Sequence, residues 1–390
     1  MDPAARSEPV IGTQRNQSAA HDRARRHSAN SRGFSLVEVM VAMVIGMLGI
    51  IVMMQMFSFF EAQKRTTTGG DDAISSGSIA LYGLQRNIQQ SGWGFTAAQV
   101  IGCVVTGKWG FDAANPSVPN GPTLTIPFAP VTIFRAGAAN PLGFPNPDSN
   151  TDMLLVVTGN GNGTVEGDNI DSAGTTAYAV HTPTAFMVGD KVVAVPQASC
   201  GAALTLAHVT SIVSPTVNVS EQTTGFTVQG GDKLFNLGSA PTVRAYAIRN
   251  QNLTVCDYMT NDCATAANWT PIANNVVSLR AEYGRDTTAP MDGAVDVWDQ
   301  TTPTNACGLA RTLAVRLVLV ARSSQPEKTL DWPALTTHVF PNPPAWMGNS
   351  LITLPDPDPS WPTWKDFRYK VFQTVVPLRN ITNLGVVSGC

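Results

Sequence analysis

The stretch Gly33-Phe34-Ser35-Leu36-Val37-Glu38 opens an apolar run that continues to Phe60 and decides the architecture of the chain. From Val39 to Met54, 16 consecutive residues carry no charge, amide or hydroxyl group. As a helix, residues 34–60 would be about 40 Å long at ~1.5 Å per residue, which is enough to cross a hydrocarbon core of ~30 Å. We therefore predict a membrane-spanning helix over residues 34–60.

The flanks of this run differ from those of an ordinary secretory signal. Such a signal is cut behind small residues that follow the apolar region, but Met54-Gln55-Met56-Phe57 is too bulky. Glu38 places a carboxylate at the start of the run, and a carboxylate in hydrocarbon costs roughly 2.5–3.5 kcal/mol. Glu38 therefore lies at the membrane interface, as in a simple signal anchor, or it is neutralised by a partner.

Gly33-Phe34-Ser35-Leu36-Val37-Glu38 followed by an apolar run closely resembles the processing site of type IV prepilins. The resemblance implies cleavage after Gly33 by a prepilin peptidase and N-methylation of Phe34. It also implies that Glu38 pairs with the free amine of a neighbouring subunit's first residue. Residues 1–33 would then be a cytoplasmic leader that is removed.

Composition indicates a large exported domain. The chain has 390 residues, of which 43% are hydrophobic and 14% charged. Residues 1–33 hold six Arg and three acidic residues, which leaves 19 basic and 25 acidic residues and a net charge near −6 for the rest. We expect no nucleic acid partner, because the mature part lacks a basic footprint. A local basic patch for DNA capture during competence stays an open, less favoured alternative.

Basic residues near the membrane segment predict its orientation. Arg23, Arg25, Arg26 and Arg32 precede it, whereas only Lys64 and Arg65 follow closely. The positive-inside rule therefore predicts a single pass with the N-terminus in the cytoplasm and the C-terminal part exported. The prepilin resemblance implies that the membrane is the inner membrane and that the exported part first lies in the periplasm. By the prepilin resemblance, assembly would then move the protein into an extracellular pilus.

All six cysteines lie on the exported side, where an even number suggests disulfides. Six cysteines allow fifteen connectivities. We predict the pair Cys256–Cys263 from its short separation. Cys103–Cys200 and Cys307–Cys390 are our choice among the open alternatives for the other four. Zinc is disfavoured because no C-x-x-C or H-x-x-x-H pair exists, and we expect no cofactor.

An amphipathic helical arm is predicted over residues 61–94. Ile74, Leu81, Leu84 and Ile88 fall at helical spacing and form one apolar face. Gly69-Gly70 predicts a kink or a locally melted turn, because each Gly costs roughly 1 kcal/mol against Ala. Gly92-Trp93-Gly94 is expected to end the arm.

Residues 95–390 are predicted to form a β-rich periplasmic or extracellular domain with long loops. Runs of branched and apolar residues predict strands at Asp152–Thr158, Lys191–Val195, Val276–Tyr283, Leu313–Ala321 and Tyr369–Pro377. The Thr-, Gly- and Asn-rich spans 111–150 and 159–185 are expected to be surface excursions. The fold class is therefore α+β and pilin-like: a long N-terminal α-helix, half membrane and half amphipathic, packed on a loop-rich antiparallel β domain.

Several segments along the mature chain resemble, in order, the PilW-like minor pilins. They are Leu84-Gln85-Arg86-Asn87-Ile88 with Gly92-Trp93-Gly94, Thr151 to Val157, Phe186 to Asp190, Val276 to Gly284, Val315 to Arg322 and Phe372 to Asn380. The resemblance implies a minor pilin that primes type IV pilus assembly at or near the tip. Its implied partners are other minor and major pilins and a large tip adhesin. The alternatives are a type II secretion pseudopilin and a signal-anchored surface adhesin or sugar-binding module.

No catalytic constellation is apparent, and we predict that the chain is not an enzyme. Only His181, His208 and His338 lie in the mature part, and none sits in a nucleophile elbow or in metal-ligand spacing.

Two further clusters each allow two interpretations. Asp286, Asp292, Asp296 and Asp299 surround an Asp-Gly turn and suit a weak Ca²⁺ site, but the spacing departs from an EF-hand, which favours a solvated hairpin loop. Trp332, Trp346, Trp361 and Trp364 fall in a span with eight prolines. They are either an exposed docking surface for a subunit, an adhesin or a glycan, or a satellite core that caps the sheet.

Overall fold

The computed structural model describes residues 33–112, 114–198, 200–327, 340, 342–346, 351–354, 356, 362–387 and 389–390. Its contacts divide the chain into two compact units, Met1–Phe60 and Glu61–Cys390. The helices within the described residues are α1 (Leu36–Gln90), α2 (Ala306–Ala310) and α3 (Arg379–Thr382). The expected leader lies outside the described residues except for Gly33.

The strands fall into three groups along the chain. The first four are β1 (Val104–Asp112), β2 (Asn115–Pro127), β3 (Val131–Phe134) and β4 (Met153–Thr158). The next six are β5 (Asp168–Ala173), β6 (Ala177–Val180), β7 (Lys191–Val195), β8 (Leu204–Val213), β9 (Thr216–Val219) and β10 (Lys233–Gly238). The last seven are β11 (Thr242–Arg249), β12 (Asn252–Asp257), β13 (Thr270–Ala273), β14 (Val276–Arg285), β15 (Val297–Asp299), β16 (Thr312–Arg322) and β17 (Tyr369–Pro377). Each of the five predicted strands is present, and the α+β fold class is confirmed.

These strands form three sheets. One has the order β13-β12-β11-β4-β3, and a second has the order β15-β14-β16-β17, all antiparallel. The third has the order β2-β1-β8-β7-β10-β5-β6-β9, in which only β1 and β8 are parallel. A further pairing of β8 with β9 closes six of its strands into a ring, and these strands contribute a separate core that includes Tyr178, Val192 and Leu234.

The ring occupies one continuous insertion in the chain. Strands β4 and β11 are antiparallel neighbours, with Val157 opposite Val243, although 83 residues separate the end of β4 from the start of β11. All six ring strands, β5 to β10, lie in that interval. Side chains of β4 alternate between two cores, because successive residues of a strand point to opposite faces. Leu154 and Val156 belong to one core, and Leu155 and Val157 to the other.

The prediction that residues 111–150 and 159–185 are surface loops is wrong in part. Residues 111–150 contain β2 and β3, and residues 159–185 contain β5 and β6. Strand β2 contains Pro119 and Pro122, and prolines argue against a strand when only the sequence is considered. The strand forms because it lies at the edge of its sheet, where a missing backbone N–H is tolerated. Strand β5 is polar, with Ile170 its one fully buried apolar residue, so no apolar run marks it in the sequence.

Within the second unit, residues 61–90 of α1 pack on the β domain through small side chains. The buried residues are Gly69, Ala73, Gly77, Ala80, Leu84 and Ile88, which recur every three or four positions. Ile74 was expected on this face but is 45% exposed, whereas Leu81 packs partly against the core. The helix approaches the sheet too closely for large side chains along most of the contact.

The locally melted turn predicted as one alternative at Gly69-Gly70 is wrong, because α1 remains helical through both residues, and the kink stays a prediction. A Cβ at Gly69 would lie 3.1 Å from the Cβ of Ser323, so glycine allows close approach of the chain that follows β16. The expected end of the helix is confirmed. Gly92 and Gly94 have φ of +85° and +87°, a conformation that glycine adopts without steric cost just beyond a helix C-terminus.

Candidate processing and assembly site

The bond between Gly33 and Phe34 lies in non-helical chain just before α1 begins at Leu36. Gly33 is exposed, and no atom lies within 4 Å of the position that a Cβ would take there. The Phe34 side chain is 80% exposed. This peptide bond is therefore accessible, as a peptidase requires.

Glu38 lies in the first turn of α1. Its backbone N–H donates to the Ser35 carbonyl oxygen at 2.9 Å, and its side chain is exposed. A carboxylate in this position interacts favourably with the partial positive charge at the helix N-terminus. The nearby side chains of Phe34 and Leu36 are apolar and exposed, which leaves the carboxylate accessible to a group on another molecule.

Among the described residues, one helical segment, Leu36–Glu61, is long and apolar enough to cross a membrane. It has 26 residues, and none of its most apolar window is buried inside the protein. In a soluble protein a helix of this composition would be buried in the core. Its exposure here suits membrane anchoring by a single helix.

The structure contains three disulfides, Cys103–Cys200, Cys256–Cys263 and Cys307–Cys390. These are the pairs that we expected. Cys256 and Cys263 lie in the core between the five-stranded sheet and the ring-containing sheet. The Cys307–Cys390 bond ties the C-terminal residue to α2, where the Cys390 carbonyl oxygen also accepts hydrogen bonds from Arg311. The second unit is thus covalently bridged at three places.

Donors of the protein occupy the aspartate oxygens at the β14–β15 loop, which disfavours the calcium interpretation. Asp286 is fully buried, and its carboxylate accepts backbone N–H groups of Thr288, Asp292 and Gly293 at 3.0, 2.9 and 2.8 Å. Within the described part of the chain, no group of three or more His, Cys, Asp or Glu residues could hold a metal ion. The carboxylate of Asp286 therefore organises the loop, because donors occupy its oxygens.

Asp296 has a similar role at the same loop. Hydrogen bonds from the Thr287 backbone N–H and the Thr288 hydroxyl lower the pKa of Asp296 below its usual value. Asp299 instead pairs with Arg285. The solvated hairpin interpretation is correct for Asp292 and Asp296, which are exposed, but not for the buried Asp286.

The two described tryptophans of the Pro-rich span cover the outer face of the four-stranded sheet. Trp346 and Trp364 are partly buried and pack against a small core of Val277, Val318, Val320, Ile352 and Leu354. For these two, the structure shows the satellite core. Trp332 and Trp361 lie outside the described residues, and their interface role stays a prediction.

Two groups that join the sheets were not recognised as important from the sequence. Asp152 is fully buried and pairs with Arg280 of β14. The Tyr283 hydroxyl accepts the Ile133 backbone N–H at 2.6 Å, and burial raises the pKa of Tyr283 well above its usual value. The sequence did offer a signal for both residues, because each is a polar residue at the edge of an apolar run. A polar group that becomes buried in such a run needs a hydrogen-bond partner.

Comparison with known proteins adds two matches. Residues 245–380 match the family described as Type IV Pilus-assembly protein W, and residues 28–54 match the Prokaryotic N-terminal methylation motif. Comparison with curated proteins and with solved structures finds no match. The first match runs from β11 to α3, and the second contains Gly33, Phe34 and Glu38. With these two regions, the chain matches a PilW-like protein of the prepilin type, that is, a pilin-like protein related to the type IV pilus.

Proposed function

We propose that this chain is a minor pilin that primes assembly of a type IV pilus and sits at or near its tip. The observation that carries the proposal is the exposed Glu38 carboxylate in the first turn of an exposed apolar helix, four residues after the accessible Phe34. Prepilin peptidase would cut after Gly33, and Phe34 would become the methylated first residue. The match at residues 28–54 supports both of these steps, and the match at residues 245–380 supports the relation to the type IV pilus.

Assembly would exchange lipid for neighbouring helices around the apolar segment. A carboxylate at the bilayer centre costs roughly 2.5–3.5 kcal/mol, and the smaller cost that Glu38 carries near the end of the span falls when an opposite charge neutralises it. The amine of a neighbouring subunit's first residue supplies that charge. Because this chain has a carboxylate at position 38, we infer that a further subunit lies on its tip side and supplies the amine. The chain would then lie near the tip of the pilus without being the terminal subunit.

The helical arm offers a surface for lateral packing. Ile74, Ile79 and Tyr82 of α1 are 45%, 63% and 67% exposed, so the face of the arm turned away from its own β domain presents three large apolar side chains among polar ones such as Asp71 and Ser75. Exposed apolar patches mark protein interaction sites. In the proposed filament, this face packs against other minor or major pilins, and the β domain supports a large tip adhesin.

An assembly assay tests the proposal. In the native host with this chain deleted, complementation with Glu38→Ala should lower the amount of the chain in sheared pili by about tenfold or more, since ~1.4 kcal/mol is tenfold in an equilibrium. Glu166→Ala removes an exposed carboxylate from the loop before β5, in the second unit, and is the matched control. Unchanged incorporation of Glu38→Ala would count against the pairing.

A further inference from the structure

Strand β17 lies at one edge of the four-stranded sheet, and among the described strands its partner is β16. At one end of this pair, the Leu378 N–H donates to the Leu313 carbonyl oxygen at 2.8 Å. At the other end, the Ser323 N–H donates to the Arg368 carbonyl oxygen at 2.8 Å. Both bonds continue the β16–β17 register, so the even-numbered residues of β17 bond to β16. The odd-numbered residues therefore direct their backbone N–H and C=O groups away from the sheet.

These outward groups are open over the middle of the strand. The backbone groups of Val371, Gln373 and Val375 have no hydrogen-bond partner among the described residues. Gln373 is exposed, and Val375 is 43% exposed. Tyr369 contacts Phe340, with ring centroids 5.3 Å apart, so the open stretch begins after Tyr369. Such a row of unpaired groups is a template for a further strand.

The other edges of the three sheets are blocked or short. Strand β2 contains Pro119 and Pro122, and β13 contains Pro271, which removes outward or ladder N–H groups. Strand β15 has 3 residues. In β3, the Ile133 N–H donates to the Tyr283 hydroxyl at 2.6 Å. Among the described edge strands, β17 thus offers the longest row of free backbone groups.

The helix beside this edge favours apolar side chains on an added strand. Gly77 of α1 lies against the Phe372 ring of β17. Ile74 and Leu81 are three and four positions from Gly77, so they lie in the same row of the helix surface. Ile79, which lines a cavity with β13, lies on the opposite flank. Ile74 is 45% exposed and Leu81 is half-buried, so apolar side chains of an added strand would cover exposed apolar surface there.

Lys370 restricts which strand can add. Its side chain is exposed and forms no ion pair with the described residues. A lysine on an edge strand protects the edge, because pairing with an apolar strand would desolvate its charge. A carboxylate directly opposite removes this obstacle, whereas a like charge adds to it. Strand β17 contains no Asp or Glu, so a second copy of the strand would not supply the carboxylate.

We propose that the outer edge of β17 binds an extended segment of another polypeptide as an added antiparallel strand, through the backbone groups of Val371, Gln373 and Val375. The segment carries a carboxylate opposite Lys370 and apolar side chains on the face that α1 covers. Antiparallel addition continues the direction of the other pairs in this sheet. The proposal does not depend on the function proposed above, because no residue of the processing or assembly site belongs to this edge.

Binding of a defined peptide to the full chain tests this proposal. The chain is placed in lipid nanodiscs and titrated with acetyl-VTITVTE-amide, whose glutamate faces Lys370 in an antiparallel pair. Fluorescence anisotropy of the labelled peptide gives the affinity, and residue-resolved deuterium exchange gives the position. The bound peptide should slow exchange of the outward amides of Val371, Gln373 and Val375. The amide of Thr374, which bonds to β16, should change little.

Proline substitutions distinguish the outward from the inward backbone groups. Val375→Pro removes an outward N–H and should weaken peptide binding by about tenfold or more. Val375→Ala is the matched control, because it keeps the N–H, and it should weaken binding less than about threefold. The two variants should have similar denaturation midpoints, since neither loses a bond to β16. Thr374→Pro removes an N–H that bonds to β16 and should lower the midpoint.

A second peptide tests the charge. Acetyl-VTITVTK-amide places a like charge opposite Lys370, so it should bind about fivefold more weakly than the glutamate peptide. Lys370→Glu should reverse this preference. A preference that stays the same in Lys370→Glu would contradict the assigned register.

Four further results would overturn the proposal. The first is no binding of the glutamate peptide at about 1 mM, a concentration that would nearly saturate a site of ~0.1 mM affinity. The second is binding that leaves the three outward amides unprotected. The third is binding that Val375→Pro leaves intact. The fourth is protection of these amides in the free chain that rises with its concentration, which would show that a second copy occupies the edge.

Discussion

At the residue scale, Asp152 shows how one buried acid joins two sheets. Its carboxylate accepts the Ala136 and Ala281 backbone N–H groups at 2.9 and 3.0 Å, Arg280 at 3.0 Å and Gln300 at 2.7 Å. Every one of these donors would be left without its acceptor if the carboxylate were removed. Breaking a buried ion pair from one side costs more than the pair itself contributes.

Asp152→Ala should therefore lower the free energy of unfolding by about 3–5 kcal/mol, measured by chemical denaturation of the full chain in detergent. Asp171→Ala is the control, because the Asp171–His181 contact is 3.7 Å long and both side chains are more than half exposed. The control should change little. An equal, small effect of both substitutions would contradict the bridging role of Asp152.

The burial of Lys191 predicts how the free energy of unfolding depends on pH. It is fully buried, its Nζ donates to the Ser239 carbonyl oxygen at 2.6 Å, and burial lowers its pKa from 10.5 to about 8, an effect that Asp190 partly offsets. Between about pH 8 and 10.5 the unfolded chain therefore binds more protons at Lys191 than the folded chain does. Stability that depends on this group rises with pH in that window.

The free energy of unfolding of the wild type minus that of Lys191→Met should thus increase from pH 8 to 10.5. Taking the difference removes the contribution of the tyrosines, which both proteins share. Denaturation curves at several pH values give this quantity. A difference that stays flat or falls over the window would show that Lys191 is not desolvated as its burial indicates.

At the element scale, the contact of α1 with β17 depends on glycine. A Cβ at Gly77 would lie 2.1 Å from Cε2 of Phe372, whereas nothing lies within 4 Å of the corresponding position at Gly83. Both residues are in the same helix, where Ala is favoured over Gly by roughly 1 kcal/mol. The two glycines should therefore respond in opposite directions to the same substitution.

Gly83→Ala should stabilise the protein by up to ~1 kcal/mol, and Gly77→Ala should destabilise it by about 1–3 kcal/mol, because the added methyl overpacks the contact. Combining Gly77→Ala with Phe372→Leu should recover part of the loss, which distinguishes the clash from a general effect on the helix. Denaturation midpoints measure all four proteins. Equal stabilisation by the two alanines would contradict the close approach.

The same contact explains what the sequence could and could not predict about elements. Strands β4, β7, β14, β16 and β17 are apolar runs, so their local pattern was sufficient. The buried face of α1 was partly mispredicted, because large apolar residues were taken as the core face and the contact uses Gly69, Ala73, Gly77 and Ala80. Small residues carry little hydrophobic signal, and only the position of Phe372 in space shows why they are needed.

At the scale of the whole molecule, the pairing of strands that are far apart in the chain could not be predicted from the sequence. Strands β4 and β11 pair across an insertion that closes into a six-stranded ring, and no local pattern marks which strands meet. The ring lies outside both matched regions, residues 28–54 and 245–380. The methylation motif was predictable by contrast, because residues 28–54 match it through their order along the chain rather than through the tertiary fold.

The mass and the first residue of the native chain test the pilin assignment most directly. Intact-mass and N-terminal fragment spectra of the protein isolated from its own membranes and pili should show a chain that begins with N-methylated Phe34. Gly33 and the residues before it should be absent. A native chain that retains residues 1–33 would contradict the assignment.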